Sequence, residues 1–286
     1  MLVTLVPVHR LPSWILVVGL IASACGDDGT TATSSPFPDG AFAFSASSSP
    51  GVGEERLLVA VSDASGARLA APDISVTIAV WPEGHEELMQ VEDGAFTWAL
   101  RDVSGLYRAN FTFGQPGTWI VEVTPAGAGP LEAFPVSVTA DPPTPAIGEP
   151  APRSVTPTAE QFLLAEITTD PNPDPRFYEL SVADAVTSGR PSVIVFATPK
   201  FCQTAVCGPT LDIVKGLAGD HPGVNFVHVE VYTNLDDAQN LELVPAVLEW
   251  GLPTEPWVFV VDAAGVVIGR FEGVVTAEEI GAALAN

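Results

Sequence analysis

Two cysteines carry the plainest chemistry in this chain. Cys202 and Cys207 are separated by Gln203-Thr-Ala-Val206 and follow the apolar run Ser192-Val-Ile-Val-Phe-Ala197. A free thiol titrates near about 8.5, and the positive end of a helix brings it down to roughly 3.5–7.5. A dithiol between a strand and a helix is therefore suited to attack on sulfur, and thiolates also suit soft metal ions. The spacing constrains how the pair can bond. Residues five apart on one continuous α-helix point about 140° apart, whereas a disulfide needs Cα atoms within about 7 Å. Either Cys202 lies in a loop ahead of the helix, or the first turn unwinds on oxidation. Gly208-Pro209, directly after Cys207, favours the loop, with Pro209 in the first helical turn. A bridge closing so short a loop stabilises a fold only at the low end of the usual few kcal/mol. A redox or ligand role is thus preferred to a static staple.

The third cysteine is accounted for by the N-terminus. Arg10 precedes the apolar run Trp14–Ala22, followed by Ser23-Ala24-Cys25 and the polar stretch Gly26-Asp27-Asp28. A basic start, a short apolar core and small residues form a secretory signal over residues 1–24, too short for the roughly 20 apolar residues of a transmembrane helix. Small residues directly before Cys25 resemble a bacterial lipobox, with Ala22 where Leu is frequent. This implies lipidation at Cys25, a Ser/Thr/Gly-rich tether over 25–40 and an extracytoplasmic, membrane-anchored location in the cell envelope. The alternative is an uncleaved signal anchor. Lipidation would leave Cys202 and Cys207 as a pair in an oxidising compartment.

Charge narrows the partners. The 286 residues carry 35 acidic and 11 basic side chains, a formal net charge of -24. Such a surface repels nucleic acid, whose binding requires Lys and Arg against phosphate, and it offers no polybasic attachment to anionic lipid.

Residues 41–140 alternate at period two. Leu57–Ser62 and Ile74–Val80 read as strands, and Asp93-Gly94 as a turn. Tyr107, Ala109, Phe111 and Phe113 share one face of a strand, as do Trp119, Val121 and Val123 of the next. This rhythm, with Pro116-Gly117-Thr-Trp119 as a turn, predicts an antiparallel sandwich similar to the immunoglobulin-like modules of exported bacterial proteins. The proline-rich segment 141–158 predicts a stiff linker holding two domains apart. From 159 onward strands alternate with helices. A strand is expected near Leu163–Ile167, then a helix around Val182–Val186. The strand Ser192–Ala197 is followed by a helix after Cys207. Next come the strand Val224–Val231, a helix over 236–249 and the hairpin 257–271. Thr276 and Glu279 form a capping box on a last helix.

The run Val193-Ile-Val-Phe-Ala-Thr-Pro-Lys-Phe-Cys202-Gln-Thr-Ala-Val-Cys207-Gly-Pro-Thr-Leu-Asp resembles the thioredoxin superfamily. Gly251-Leu-Pro-Thr-Glu-Pro256-Trp-Val-Phe-Val-Val-Asp resembles that family's cis-proline loop. The resemblance spans about residues 145–286. It implies two domains, an all-β immunoglobulin-like sandwich (41–140) followed by an α/β thioredoxin fold (159–286). It further implies that Cys202 attacks, Cys207 resolves, and Pro256 orders a partner's backbone beside the dithiol. The function so implied is thiol–disulfide exchange with protein thiols or disulfides outside the cytoplasm, needing no bound cofactor. A reductase role would need a membrane electron donor. The chain departs from the common pattern in placing four residues, not two, between the cysteines.

Three other readings stay open. Q-type peroxiredoxins share the four-residue spacing, but Pro199 stands where they carry Thr, and Glu255 where a supporting Arg is needed. Sco-type copper chaperones resemble this chain in two cysteines plus a distant histidine, which would make Cys202, Cys207 and His228 the ligands. His228 in an alternating strand is more often structural, and there are only two Met. The third reading is a non-catalytic interaction module, favoured by Glu255, whose charge beside the dithiol would raise a thiolate's pKa. No phosphate-binding glycine loop and no zinc-ligand spacing are evident in the sequence.

Overall fold

The computed structural model describes residues 35–48, 50–85, 87 and 89–285. The signal, Cys25 and most of the tether lie outside them. All the described residues fall in one compact unit.

Seven strands form the N-terminal part: β1 (Phe42–Ser45), β2 (Gly53–Ser62), β3 (Val76–Pro82), β4 (Gln90–Leu100), β5 (Ser104–Phe113), β6 (Gly117–Pro125) and β7 (Phe134–Val138). All pair antiparallel, in the order β1-β2-β5-β4-β3-β6-β7. Period-two alternation puts Leu57, Val59 and Val61 of β2 in one core with Tyr107, Phe111 and Phe113 of β5 and Trp119, Val121 and Val123 of β6. Phe113 meets Trp119 edge to face at 5.0 Å, and the Trp119 indole N–H donates to the Gln115 carbonyl.

Asp93-Gly94 is not a turn but lies within β4. Residues 90–94 pair with β3, and residues 95–100 pair with β5. The strand crosses from one sheet of the sandwich to the other, as corner strands do. A Cβ on Gly94 would come within 2.5 Å of Val76 Cγ2, so the crossing requires the missing side chain. Turn chemistry and a close cross-strand approach both select glycine, and the local sequence does not separate them.

The second half begins with segment 141–158, which lies along later strands. Gly148 donates to the Val267 carbonyl, Val267 to Glu149 and Ala151 to Gly265, all at 2.8–2.9 Å. Thr156 Oγ1 accepts from the Val182 amide. Beyond it come α1 (Leu164–Ile167), a 3-10 turn over Pro175–Tyr178, α2 (Val182–Thr187), β8 (Ser192–Ala197), α3 (Cys207–Leu217) and β9 (Asn225–Glu230). A short ladder of β10 (Tyr232–Thr233) and β11 (Glu242–Leu243) precedes α4 (Pro245–Glu249). The chain closes with β12 (Trp257–Val261), β13 (Val267–Glu272) and α5 (Ala277–Leu284). One sheet runs β13-β12-β8-β9, with β8 and β9 parallel and the other pairs antiparallel. Every residue of β8, β9 and β12 is buried, because apolar clusters cover both faces. Trp250 and Val186 belong to one cluster, Leu211 and Ile280 to the other.

The structure corrects the fold-class expectation. The chain is mostly β, thirteen strands against five short α-helices among the described residues, and the α/β thioredoxin fold expected over 159–286 is not evident. Residues 164–167 form a turn of helix where that fold was expected to place its first strand. The alternation fails again at 236–249. There Pro245, which fits only a helix's first positions, starts a five-residue helix after the β10–β11 ladder. A single parallel pair remains in the four-stranded sheet. The hairpin and the capping box are present: Thr276 Oγ1 accepts from the Glu279 amide, and Glu279 Oε2 accepts from the Thr276 amide.

The sandwich packs against this sheet. Arg56 of β2, its side chain 9% exposed, reaches Glu279 with Nε at 2.6 Å and Nη2 at 3.1 Å, and donates to the Val274 carbonyl at 2.8 Å. Arg270 of β13 pairs with Glu55 at 2.9 Å. Leu58 and Leu106 from the sandwich share an apolar cluster with Val274, against which Val206 packs.

Candidate functional site

Buried strand β8 delivers the chain at Ala197 into the turn Thr198-Pro-Lys-Phe201, and Cys202 follows. Cys202 and Cys207 are joined by a disulfide, with Cα atoms 6.0 Å apart. Cys207 is the first residue of α3 and fully buried, whereas Cys202 lies in the preceding loop and is partly exposed. Gln203, Thr204 and Ala205 are exposed, and Ala205 has φ +61°. That left-handed conformation curls the loop back so that cysteines five apart can meet. The Cys207 amide donates to Cys202 Sγ at 3.3 Å, and Thr204 Oγ1 lies 3.4 Å from the same sulfur. Pro209 sits in the first turn of α3.

The loop before β12 supplies the other flank. Glu255-Pro256 is a cis peptide, and a Glu255 carboxylate oxygen lies within 4.8 Å of both sulfurs. Burial raises the Glu255 carboxyl above its ordinary range. It likewise raises the Tyr232 phenol, aided by the charges of Glu255 and Glu230. The Pro256 carbonyl accepts from the Gly273 amide.

His228 is not part of this cluster. It is buried on β9, where Nε2 lies 3.0 Å from the Ala197 carbonyl and Nδ1 lies 2.7 Å from the Tyr178 hydroxyl. A carbonyl only accepts, so Nε2 carries the proton and Nδ1 accepts from Tyr178. Burial holds the imidazole down at about 4. With both nitrogens committed, the set Cys202, Cys207 and His228 does not assemble as a metal site.

A polar layer that no local sequence signal marks lies behind the dithiol loop. Tyr178 bonds Thr168 as well as His228. Buried Glu230, its pKa raised by burial, accepts from the amide and hydroxyl of Thr169, each at 2.7 Å. Lys215 of α3 pairs with Asp170 at 2.7 Å. These pairs lie far apart in sequence, and no local pattern marks them. In front of this layer a groove of about 390 Å3 is lined by Thr169, Asp170, Asn172, Pro199, Lys200 and Gly208.

No protein-family model matches the chain, and no curated protein matches it. Among solved structures it is similar to the filamin domain of Lin-41, at 13% identity and a TM-score of 0.24, over 38% of this chain and 100% of that one. It is also similar to the CARDB domain of PF1109 from Pyrococcus furiosus, at 14% identity and a TM-score of 0.20, over 35% and 94% of the two chains. An engineered protein matches at 22% identity and a TM-score of 0.23, over 37% of this chain and 21% of its own.

Proposed function

We propose that the chain exchanges thiols and disulfides with other proteins outside the cytoplasm through Cys202 and Cys207, as a lipid-anchored protein held at Cys25. The observation that carries this reading is the asymmetry of the bridge: one sulfur is partly exposed on a loop, and the other is fully buried at the head of α3. A partner thiolate attacks Cys202 Sγ, forming a mixed disulfide while the Cys202–Cys207 bond breaks and Cys207 leaves as the thiolate. In the opposite direction the Cys202 thiolate attacks a partner disulfide and expels one partner thiolate. Cys207 then attacks Cys202 Sγ and releases the second, leaving the partner reduced and the chain oxidised. Protons pass to and from solvent at the open side of the loop.

The groove lined by Pro199, Lys200 and Gly208 gives a partner segment room beside the residues that flank the dithiol loop. Because the Pro256 carbonyl is engaged by Gly273, backbone pairing with a partner falls to residues 254 and 255, with Pro256 setting their place beside the bridge. The sandwich supports the loop from behind through Val206.

Trapping tests this directly. Cys207→Ser should accumulate mixed disulfides with exported proteins through Cys202, and Cys202→Ser should accumulate none. The reverse pattern swaps the roles, and no adduct with either variant removes the proposal.

A further inference from the structure

Two sulfurs and one carboxylate converge at the head of α3 from separate segments: the loop after β8, the first residue of the helix, and the residue before Pro256. Their ligand atoms all lie within 4.8 Å of one another. Glu255 is half-buried, yet among the described residues its carboxylate pairs with no Lys, Arg or His. A carboxylate withdrawn from water without a partner is costly. Reduction would put two thiols against it and sharpen that conflict, because thiolates there would crowd three negative charges together.

We propose that reduction of the Cys202–Cys207 bridge creates a zinc site, with the two thiolates and the Glu255 carboxylate as protein ligands and a fourth position open to water. Tetrahedral zinc takes sulfur at about 2.3 Å and carboxylate oxygen at about 2.0–2.2 Å, which places the sulfurs roughly 3.8 Å apart and each roughly 3.5 Å from the oxygen. The Cα separation of 6.0 Å accommodates that spacing by side-chain rotation. Cys202 has the freedom to rotate because residues 203–205 beside it are exposed. The Cys207 amide already points at Cys202 Sγ and serves as an outer-shell donor to the ligand. The carboxylate selects the metal. Copper(I) favours sulfur ligands throughout, whereas zinc accepts a mixed sulfur and oxygen set.

Binding displaces the two thiol protons to solvent. Zinc and the disulfide exclude each other, since each needs both sulfurs. The metal therefore withholds the reduced dithiol from oxidation and is released when the bridge forms. This inference shares its sulfurs with the exchange reading but requires only that the bridge can be reduced.

The test uses the full chain with Cys25→Ser, so that two thiols remain. It is reduced with a phosphine, desalted without oxygen and titrated with zinc against a chromophoric chelator. Cobalt substitution should show a thiolate-to-metal charge-transfer band with tetrahedral d–d bands. One zinc per reduced chain, none per oxidised chain, and weakening of at least about tenfold in Glu255→Gln are expected. No uptake by the reduced chain, equal uptake by the oxidised chain, or unchanged affinity in Glu255→Gln overturns the proposal. Cys202 and Cys207 remain native in the Glu255→Gln comparison, so it does not depend on the folding of a variant that lacks either of them. Disulfide exchange is measured on the same preparation with excess chelator. Its loss while zinc binding persists would sink the exchange reading alone.

Discussion

The amide of Cys207 donates to Sγ of Cys202 at 3.3 Å, so the buried end of the bridge holds the accessible end in place. The two sulfurs are inequivalent because helix α3 begins at the second cysteine and not the first. Once the bridge is reduced and metal is kept out with chelator, Cys202 should react with iodoacetamide on the order of tenfold faster than Cys207, since only the first is reachable from solvent. Peptide mapping by mass spectrometry over a time course measures the ratio. Equal labelling would mean that the buried position of Cys207 does not persist in the reduced chain.

Arg56 joins the sandwich to the second half through Glu279 and the Val274 carbonyl. Arg56→Ala should cost about 3 kcal/mol, the usual price of leaving one member of a buried pair uncompensated. Arg108, 3.4 Å from Glu279, limits the loss. Denaturant unfolding checks the value. An effect below about 0.5 kcal/mol would place this ion pair among the inconsequential surface bridges.

His228 should give the fold an acid-sensitive limb. Its folded pKa, about 4, lies below the ordinary 6.5. The unfolded chain therefore takes up the proton first as pH falls. The contribution is complete above about 6.5, drains away between 6.5 and 4, and is constant below. Its size is at most about 3 kcal/mol. Glu230, raised by burial, acts in the opposite sense, losing stability as pH rises above its unfolded value. The comparison with His228→Gln isolates the histidine, since glutamine can still accept from Tyr178 and donate to Ala197 but does not titrate. Stability measured from pH 7 to 4 should fall more steeply in the natural chain than in the variant. Parallel curves would contradict the buried neutral imidazole.

Gly251 has φ +60°, and a Cβ there would come within 2.0 Å of the Pro143 carbonyl. Gly251→Ala should destabilise by more than about 1 kcal/mol, because backbone must move to admit the methyl group. Thermal unfolding reads this directly. A neutral result would show that segment 141–158 is not seated against the second half.

Much of this arrangement was legible locally. The alternation of Tyr107, Phe111 and Phe113 against Trp119, Val121 and Val123 marks the sandwich core, because a half-buried strand writes its burial at period two. The Thr276–Glu279 cap is a local motif with a local cause. The bonding distance between Cys202 and Cys207 called for a loop ahead of the helix, and Glu255 was evident as an acid facing the dithiol. Illegible features depend on distant partners. Gly94 reads as a turn because nothing nearby reveals Val76 against it. Leu163–Ile167 is apolar enough for a strand, but it forms a single helical turn that buries only Ile167 and leaves β9 as the edge of the sheet. The prolines of 141–158 suggest a free spacer, whereas their neighbours bond the β12–β13 hairpin. His228 and Tyr178, fifty residues apart, meet only after folding.

The reduction potential of the Cys202–Cys207 pair, measured by equilibration with glutathione or dithiothreitol buffers under excess chelator, tests whether this bridge is made to be opened. The partly exposed sulfur at Cys202 predicts a value above about -300 mV, in the range of proteins that trade disulfides. A value below about -300 mV would make the bridge a permanent structural link and contradict the proposed exchange.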